Sequence, residues 1–196
     1  MRKKIEHQNI FFTSDAHFSH ANVIKYDKRP FSNIREMDEA IIDNWNDKVK
    51  PSDTVFYLGD FSFDRDIERT KDIAKELNGT IHFILGNHDD DRVIRKLGVF
   101  ETVSDYVNLS VKDSSTQRGY QDIMMFHYPI LSWDKAHHGA WHLHGHCHGS
   151  LMKSPEYEWY YNKKVLDIGL NMMDYEPISY KDLKKIMDTK EISKHH

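Results

Sequence analysis

The chain has 196 residues, 39% hydrophobic and 30% charged, with 27 Lys and Arg against 31 Asp and Glu for a formal charge of −4. That length suits a single domain, taken here as 1–196, whose core can fold without disulfides or a structural metal. The charge balance argues against a broad nucleic-acid or membrane surface, and no apolar run approaches the roughly 20 residues that span a bilayer.

In chain order, a first buried strand is expected at 10–13, followed by a long irregular loop over 17–33. Met37, Ile41, Trp45 and Val49 recur every fourth residue and predict an amphipathic helix, opened by an Asn33/Glu36 capping box and ended by Pro51. A strand at 54–58 precedes a second helix marked by Ile67, Thr70, Ala74 and Leu77 and closed by Asn78-Gly79. A strand at 81–85, a short helix at 91–97 stopped by Gly98, and a strand at 106–111 come next. After a polar turn at 113–119, strands are expected at 123–126, 141–144 and 165–168, with a loop over 132–140 between the first two. A last helix is expected over 179–187. Alternating strands and helices predict an α/β-type domain.

Cys147 is the one cysteine, so no intrachain disulfide can form, and a reducing, cytoplasmic setting is expected. The polar start, residues 1–8, lacks the apolar core of a signal peptide. The final His195-His196 pair reads as a remnant of a purification tag and is kept out of the site. Histidine is over-represented, at 14 residues, which invites a metal explanation.

Metal-ligating residue types follow strand after strand. Asp15 and His17 come after the first, Gly59-Asp60 after the next, then Gly86-Asn87-His88-Asp89, His127, and Gly145-His146-Cys147-His148. Ligands of α/β folds gather beyond the carboxyl ends of strands, where a rigid sheet holds the loops. In Asp-x-His and His-x-His, alternate side chains can face one cavity. Carboxylate, imidazole and amide donors suit Mn²⁺, Fe or Zn²⁺ better than a thiolate-seeking ion. Taken singly, each residue is ordinary: Gly-Asp is turn chemistry, and Asp89 or Asp90 suits a helix cap.

In this order the elements resemble the calcineurin-like metallophosphoesterase superfamily, over residues 15–148, and within it the compact single-domain enzymes of bacteria and phages. The likeness extends into Ser19-His-Ala-Asn-Val-Ile24 and Arg29-Pro-Phe31. The resemblance implies a four-layer αββα sandwich of two mixed sheets flanked by helices, an α+β, metallo-dependent phosphatase-like fold. It also implies two divalent ions, manganese first, with iron, zinc or nickel as alternatives. Asp15, His17 and His148 would hold one ion and Asn87, His127 and His146 the other. Asp60 would bridge both, together with the attacking hydroxide. His88 is implied as the general acid. His20, Asn22, Lys25 and Arg29 are candidates for holding the phosphate or leaving group, against a solvated loop. The family often shows Gly-Asp-x-x-Asp, whereas Phe63 stands at the last position here.

His137 and His138 are expected at the pocket rim. Cys147, His7, His82, His142 and His144 are read as structural or supporting, and Tyr157, Trp159, Tyr160 and Tyr161 as core or hairpin packing. The expected activity is hydrolysis of a small phosphodiester of nucleotide type. A phosphomonoesterase or nuclease of the same fold is the alternative, with a non-catalytic metal-binding scaffold behind these. A small phosphate ester is the expected partner; no membrane or extended nucleic acid is.

Overall fold

The structure is a computed structural model that describes residues 1–193 apart from Gln8 and Arg65; the His195-His196 pair lies outside the described residues. The strands are β1 (Arg2–Ile5), β2 (Ile10–Thr13), β3 (Thr54–Tyr57), β4 (Thr80–Ile84), β5 (Thr102–Ser104), β6 (Tyr106–Lys112), β7 (Tyr120–Phe126), β8 (Trp141–His144), β9 (Val165–Asp167) and β10 (Ile178–Ser179). The helices are α1 (Ala21–Tyr26), α2 (Ile34–Lys48), α3 (Ile67–Glu76), α4 (Asp91–Leu97), α5 (Glu158–Tyr161) and α6 (Tyr180–Asp188).

They build two mixed sheets. One runs β10-β2-β3-β4-β5 and is parallel except for β10; the other runs β1-β6-β7-β8-β9 and is parallel except between β6 and β7. The inner faces meet in one apolar core that includes Phe12, Phe56, Ile84, Leu109, Ile123 and Leu143, joined by Tyr180, Leu183 and Met187 of α6. On the outer face of the first sheet, Met37, Ile41 and Trp45 of α2, Ile73 and Ala74 of α3, and Ile94 and Leu97 of α4 pack on Val55, Tyr57, Ile81 and Phe83. This sheet is therefore buried on both faces, which is why its strands read as continuous apolar runs rather than alternating ones. Each large side chain so buried stabilises the fold by roughly 1.5–3 kcal/mol.

The helix ends follow their local chemistry. Asn33 Oδ1 accepts from the Glu36 N–H, and Glu36 reaches back to the Ser32 N–H, one residue outside the box expected from the sequence. Asp90 caps α4, which stops at Gly98 in the left-handed conformation, φ 65°. Two mixed sheets flanked by helices are found as expected. On the outer face of the second sheet Trp133, Tyr160 and Tyr161, on turns and the four-residue α5, cover Met124 and Val165. Elsewhere the outward residues Asn108, Ser110 and Asp122 are partly buried, and being polar they tolerate water. β1 went unpredicted because an edge strand of Arg and Lys has no apolar run, and α1 lies inside the segment expected to be loop.

Two core histidines set an acid limit on this fold. His142 is fully buried, with Nδ1 against the Met124 carbonyl and Nε2 accepting from the Ile130 N–H, and burial lowers it to about 3. His82, between Lys3 and Thr102, is lowered by burial to about 4. Both folded values lie below the ordinary unfolded value near 6.5, so the unfolded chain binds more protons between them. Their contribution is complete above about pH 6.5 and is lost as the pH falls toward 4. Urea unfolding at pH 5 should show about 2–4 kcal/mol less stability than at pH 7.5; a flat profile would contradict the neutral burial of both rings.

Candidate metal centre

The loops after β2, β3, β4, β7 and β8 converge beyond one end of the two sheets. The Asp15-to-Phe18 loop is zipped to the next by backbone bonds, from Asp15 N to Gly59 O (3.0 Å), His17 N to Asp60 O (3.1 Å) and Phe18 N to Phe61 O (2.8 Å). Tyr57 Oη accepts from the Ala16 N–H at 2.9 Å and donates to Asp60 O at 3.3 Å, tying the same two loops from beneath. The Asp89 carboxylate accepts from the N–H groups of Asp60, Phe61 and Gly86, fastening the third loop to the second. Asp89 is thus the staple of the Gly-Asn-His-Asp segment, while Asp90 takes the helix cap.

These bonds hold the chain in conformations that side chains rarely adopt. Asp15, His17, Asp60, His146 and His148 all have positive φ, from 48° to 67°. Left-handed backbone at a non-glycine residue costs of order 1–3 kcal/mol and tends to cluster at functional sites. Glycine supplies the close approaches: a Cβ on Gly86 would run into Asp60 Oδ1, and one on Gly145 into Asp15 Oδ2.

Two groups of potential ligand atoms result, Asp15/His17/His148 and Asp15/Asp60/His127, with the atoms of each within 4.8 Å of one another. His17 Nε2 lies 3.2 Å from His148 Nε2 and 3.6 Å from Asp60 Oδ2; His127 Nε2 lies 3.5 Å from the same oxygen. Atoms sharing one ion at about 2.0–2.2 Å stand roughly 3.0–3.5 Å apart, so the spacings suit a bound cation. Asn87 Oδ1 sits 3.0 Å from His127 Nε2 and 2.7 Å from His146 Nδ1. The amide expected for a second ion is therefore beside both of its expected partners.

The donor set fits a metal in other ways. His17 presents Nε2 to this group, while Nδ1 on the other side of the ring is buried with no hydrogen-bond partner among the described residues. Burial lowers His17 to about 4, leaving its ring neutral with a free lone pair, as coordination requires. His127 Nδ1 donates to the Leu58 carbonyl at 2.7 Å, which turns Nε2 toward Asp60. His148 Nδ1 donates to Asp27 Oδ2 at 2.6 Å, which turns its Nε2 toward His17 and Asp15. Burial pulls His148 down, but Asp15 and Asp27 more than reverse this and raise it to about 10. Burial likewise raises Asp15, yet the hydrogen bond and charge of His148 hold it at about 2. The proton on His148 balances these carboxylates, a task a cation can take over.

Asp27 was not legible as a site residue. It faces His148 across 121 positions of sequence, and Arg29 lies against it at 3.4 Å. Arg29 itself corrects an expectation: its guanidinium is buried and donates to the carbonyls of Asp15 (2.8 Å) and Ala16 (2.7 Å), bracing the ligand loop rather than facing a substrate. His20 stays near the cluster, its ring 5.7 Å from that of His17. Asn22 and Lys25 are exposed on α1. His88 is half-exposed at the mouth, Nε2 4.0 Å from Asp60 Oδ2. His137 and His138 do not rim this site; with Arg118, Lys164 and Ile192 they line a separate cavity of about 410 Å³. Cys147 is half-buried, and burial pushes its thiol up to about 12, consistent with an unreactive packing residue. His144 is buried against Tyr161 Oη, as a supporting residue would be.

Carboxylates that orient metal-bound imidazoles typically contribute 10–100-fold to affinity. Asp27→Asn should accordingly weaken Mn²⁺ binding by about that factor in calorimetric titration. Unchanged affinity would show that the Asp27–His148 bond does not orient a ligand.

Over 183 residues the chain is 34% identical to the uncharacterized protein MJ1445 of Methanocaldococcus jannaschii, covering 92% of each. The chain belongs to the MJ1445 family. It is also 25% identical over 182 residues to the gene 66 protein of Mycobacterium phage D29, covering 83% of this chain and 88% of that one. Its fold matches that of AQ665 from Aquifex aeolicus, a protein of unknown function, at a TM-score of 0.68 and 24% identity, over 90% of this chain and 98% of the other. No family model matches the chain. Among the described residues, no helix is long and apolar enough to cross a membrane.

Proposed function

We propose that the protein is a dinuclear metallophosphoesterase of the calcineurin-like type, hydrolysing a small phosphodiester. The observation that carries this reading is the pair of ligand groups sharing Asp15, with Asp60 facing His17 and His127. Asn87 and His146, in contact with each other and next to His127, supply the remaining donors for a second ion. When bound, two divalent ions would neutralise phosphate oxygens and lower the pKa of a water placed for in-line attack.

The chain's own residues would then divide the work. Asp15 and Asp60 bring buried negative charge to the place where cations sit, and their left-handed loops fix its direction. Asp60 Oδ1 accepts from the His88 N–H at 2.9 Å, so the residue that bears on the ions also sets the position of His88. The half-exposed His88 ring, 4.0 Å from Asp60 Oδ2, would deliver a proton to a leaving oxygen at the mouth of the site.

A general acid so placed is typically worth 10²–10⁴-fold. His88→Ala should therefore keep both ions and lose turnover by about that factor on an alkyl ester, but much less on a p-nitrophenyl ester, whose leaving group needs no proton. Equal losses on the two esters would remove His88 from that role. The activity is tested on metal-stripped protein reloaded with Mn²⁺, assayed against bis-p-nitrophenyl phosphate and p-nitrophenyl phosphate. Manganese-dependent turnover that favours the diester is expected. Two bound ions with no turnover under Mn²⁺, Fe²⁺, Ni²⁺ or Zn²⁺ would overturn the enzymatic reading.

A further inference from the structure

An apolar ring is an unusual thing to leave in water beside a cluster of charged ligands. Phe63 is 45% exposed, one of few large apolar side chains that are. It stands against the site, ring centroid 4.0 Å from that of His20, 5.0 Å from His88 and 6.3 Å from His17. Tyr26, 75% exposed, extends the wall beyond His20, with the two rings 6.5 Å apart and nearly perpendicular.

The wall is held firmly. The Phe63 N–H donates to the Phe18 carbonyl at 2.9 Å, in line with the bonds that zip the ligand loops together. Asp64 is pinned by Arg69 at 3.2 Å, and with Ser19, Ile34 and Phe63 these residues line an open cleft of about 480 Å³. The cleft is thus lined both by an aromatic ring that neighbours the ligand cluster and by the polar side chains of Asp64 and Arg69. The Phe63 ring touches His17, His20 and His88 and leaves the rest of its surface open. A planar ring is the partner that an exposed aromatic face takes most favourably, and hydrogen-bonding groups in the same cleft suit a heterocycle.

We infer that Phe63, flanked by His20, forms a subsite for the heterocyclic base of a nucleotide ester whose phosphate occupies the metal centre. The inference rests on the phosphoesterase reading and adds to it what the ester carries. With its ring 5.0 Å from that of His88 and 6.3 Å from that of His17, Phe63 is near enough to the ligand cluster for one molecule to reach both. Phe63 determines specificity, through stacking, and takes no part in the chemistry.

The test uses the Mn²⁺-loaded protein and two ligands that differ only in the ring, adenosine 5′-monophosphate and ribose 5-phosphate. Each is measured by calorimetry and as an inhibitor of bis-p-nitrophenyl phosphate hydrolysis. Adenosine 5′-monophosphate should bind about tenfold or more tightly than ribose 5-phosphate. That preference should fall below about twofold in Phe63→Leu and survive in Phe63→Tyr, which keeps the aromatic face. Equal affinities for the two ligands in a protein that does hydrolyse the diester would overturn the subsite and leave the enzyme reading intact. A preference unaltered in Phe63→Leu would place the ring elsewhere and equally overturn it. Absence of hydrolysis would count against the enzyme reading alone, since calorimetry still reports the ring preference.

Discussion

Asp60→Asn is expected to give a folded protein with no measurable turnover of either p-nitrophenyl ester. Asp60 Oδ2 faces Nε2 of His127 at 3.5 Å, of His17 at 3.6 Å and of His88 at 4.0 Å, while Oδ1 accepts from the His88 N–H. Asparagine keeps the oxygen that meets His88 and tolerates the left-handed backbone, φ 59°, but removes the charge between the two ligand groups. Loss of several kcal/mol of charge stabilisation corresponds to a rate reduction of about 10³-fold or more. The folded state loses as well. Burial and the neighbouring Asp15 disfavour the Asp60 charge, but the hydrogen bond and charge of His127, with the His88 N–H, outweigh both and lower its pKa. In chelator the variant should therefore melt somewhat lower than the parent. A variant that still turned over at a tenth of the parent rate would remove Asp60 from the proposed metal-holding role.

The second large effect is the response to metal itself. A ligand that binds only the folded state at 100 times its dissociation constant stabilises by about 2.7 kcal/mol. For a domain of this size each kcal/mol moves the midpoint by about 2–4 °C, so saturating Mn²⁺ should raise Tm by about 5–10 °C over protein held in chelator. Asp15 belongs to both ligand groups, and Asp15→Asn should abolish most of that rise. Identical melting in chelator, Mn²⁺, Zn²⁺, Fe²⁺ and Ni²⁺ would mean that the cluster holds no ion in the folded protein.

Much of this site can be read without coordinates, for a physical reason. Strands β2, β3, β4, β7 and β8 announce themselves by apolar runs, and the residues just past each run must emerge near the same sheet ends. That logic puts ligand-type residues after each strand, the family resemblance singles out Asp15, His17, Asp60, Asn87, His127, His146 and His148 among them, and the structure brings these together. What fails is direction. Arg29, a cation near the ligands in sequence, looks like a phosphate anchor, but its guanidinium turns inward to orphan carbonyls of the ligand loop. Asp27 carries no local mark at all, because its partner His148 comes from the other sheet. In the fold, the thin cover over the second sheet goes with the polar outward residues of β6 and β7, a signal the sequence does contain. β1 and α1 lacked one, being a charged edge strand and a six-residue helix whose cap, His20, makes no side-chain bond to it.

The left-handed residues have a consequence for how such a chain can drift. At Asp15, His17, Asp60, His146 and His148 the backbone alone would be more comfortable with glycine, and next with asparagine. Replacements that silence the ligands are therefore among those that relax the loops. A copy of this chain released from the need to hold ions would shed backbone strain as it lost them, and glycine should accumulate at these positions first. β-Branched residues, the worst fit to that conformation, should be the last to arrive. Retention of imidazole and carboxylate there, against a conformational gradient pulling the other way, is what continued selection on the side chains themselves would produce.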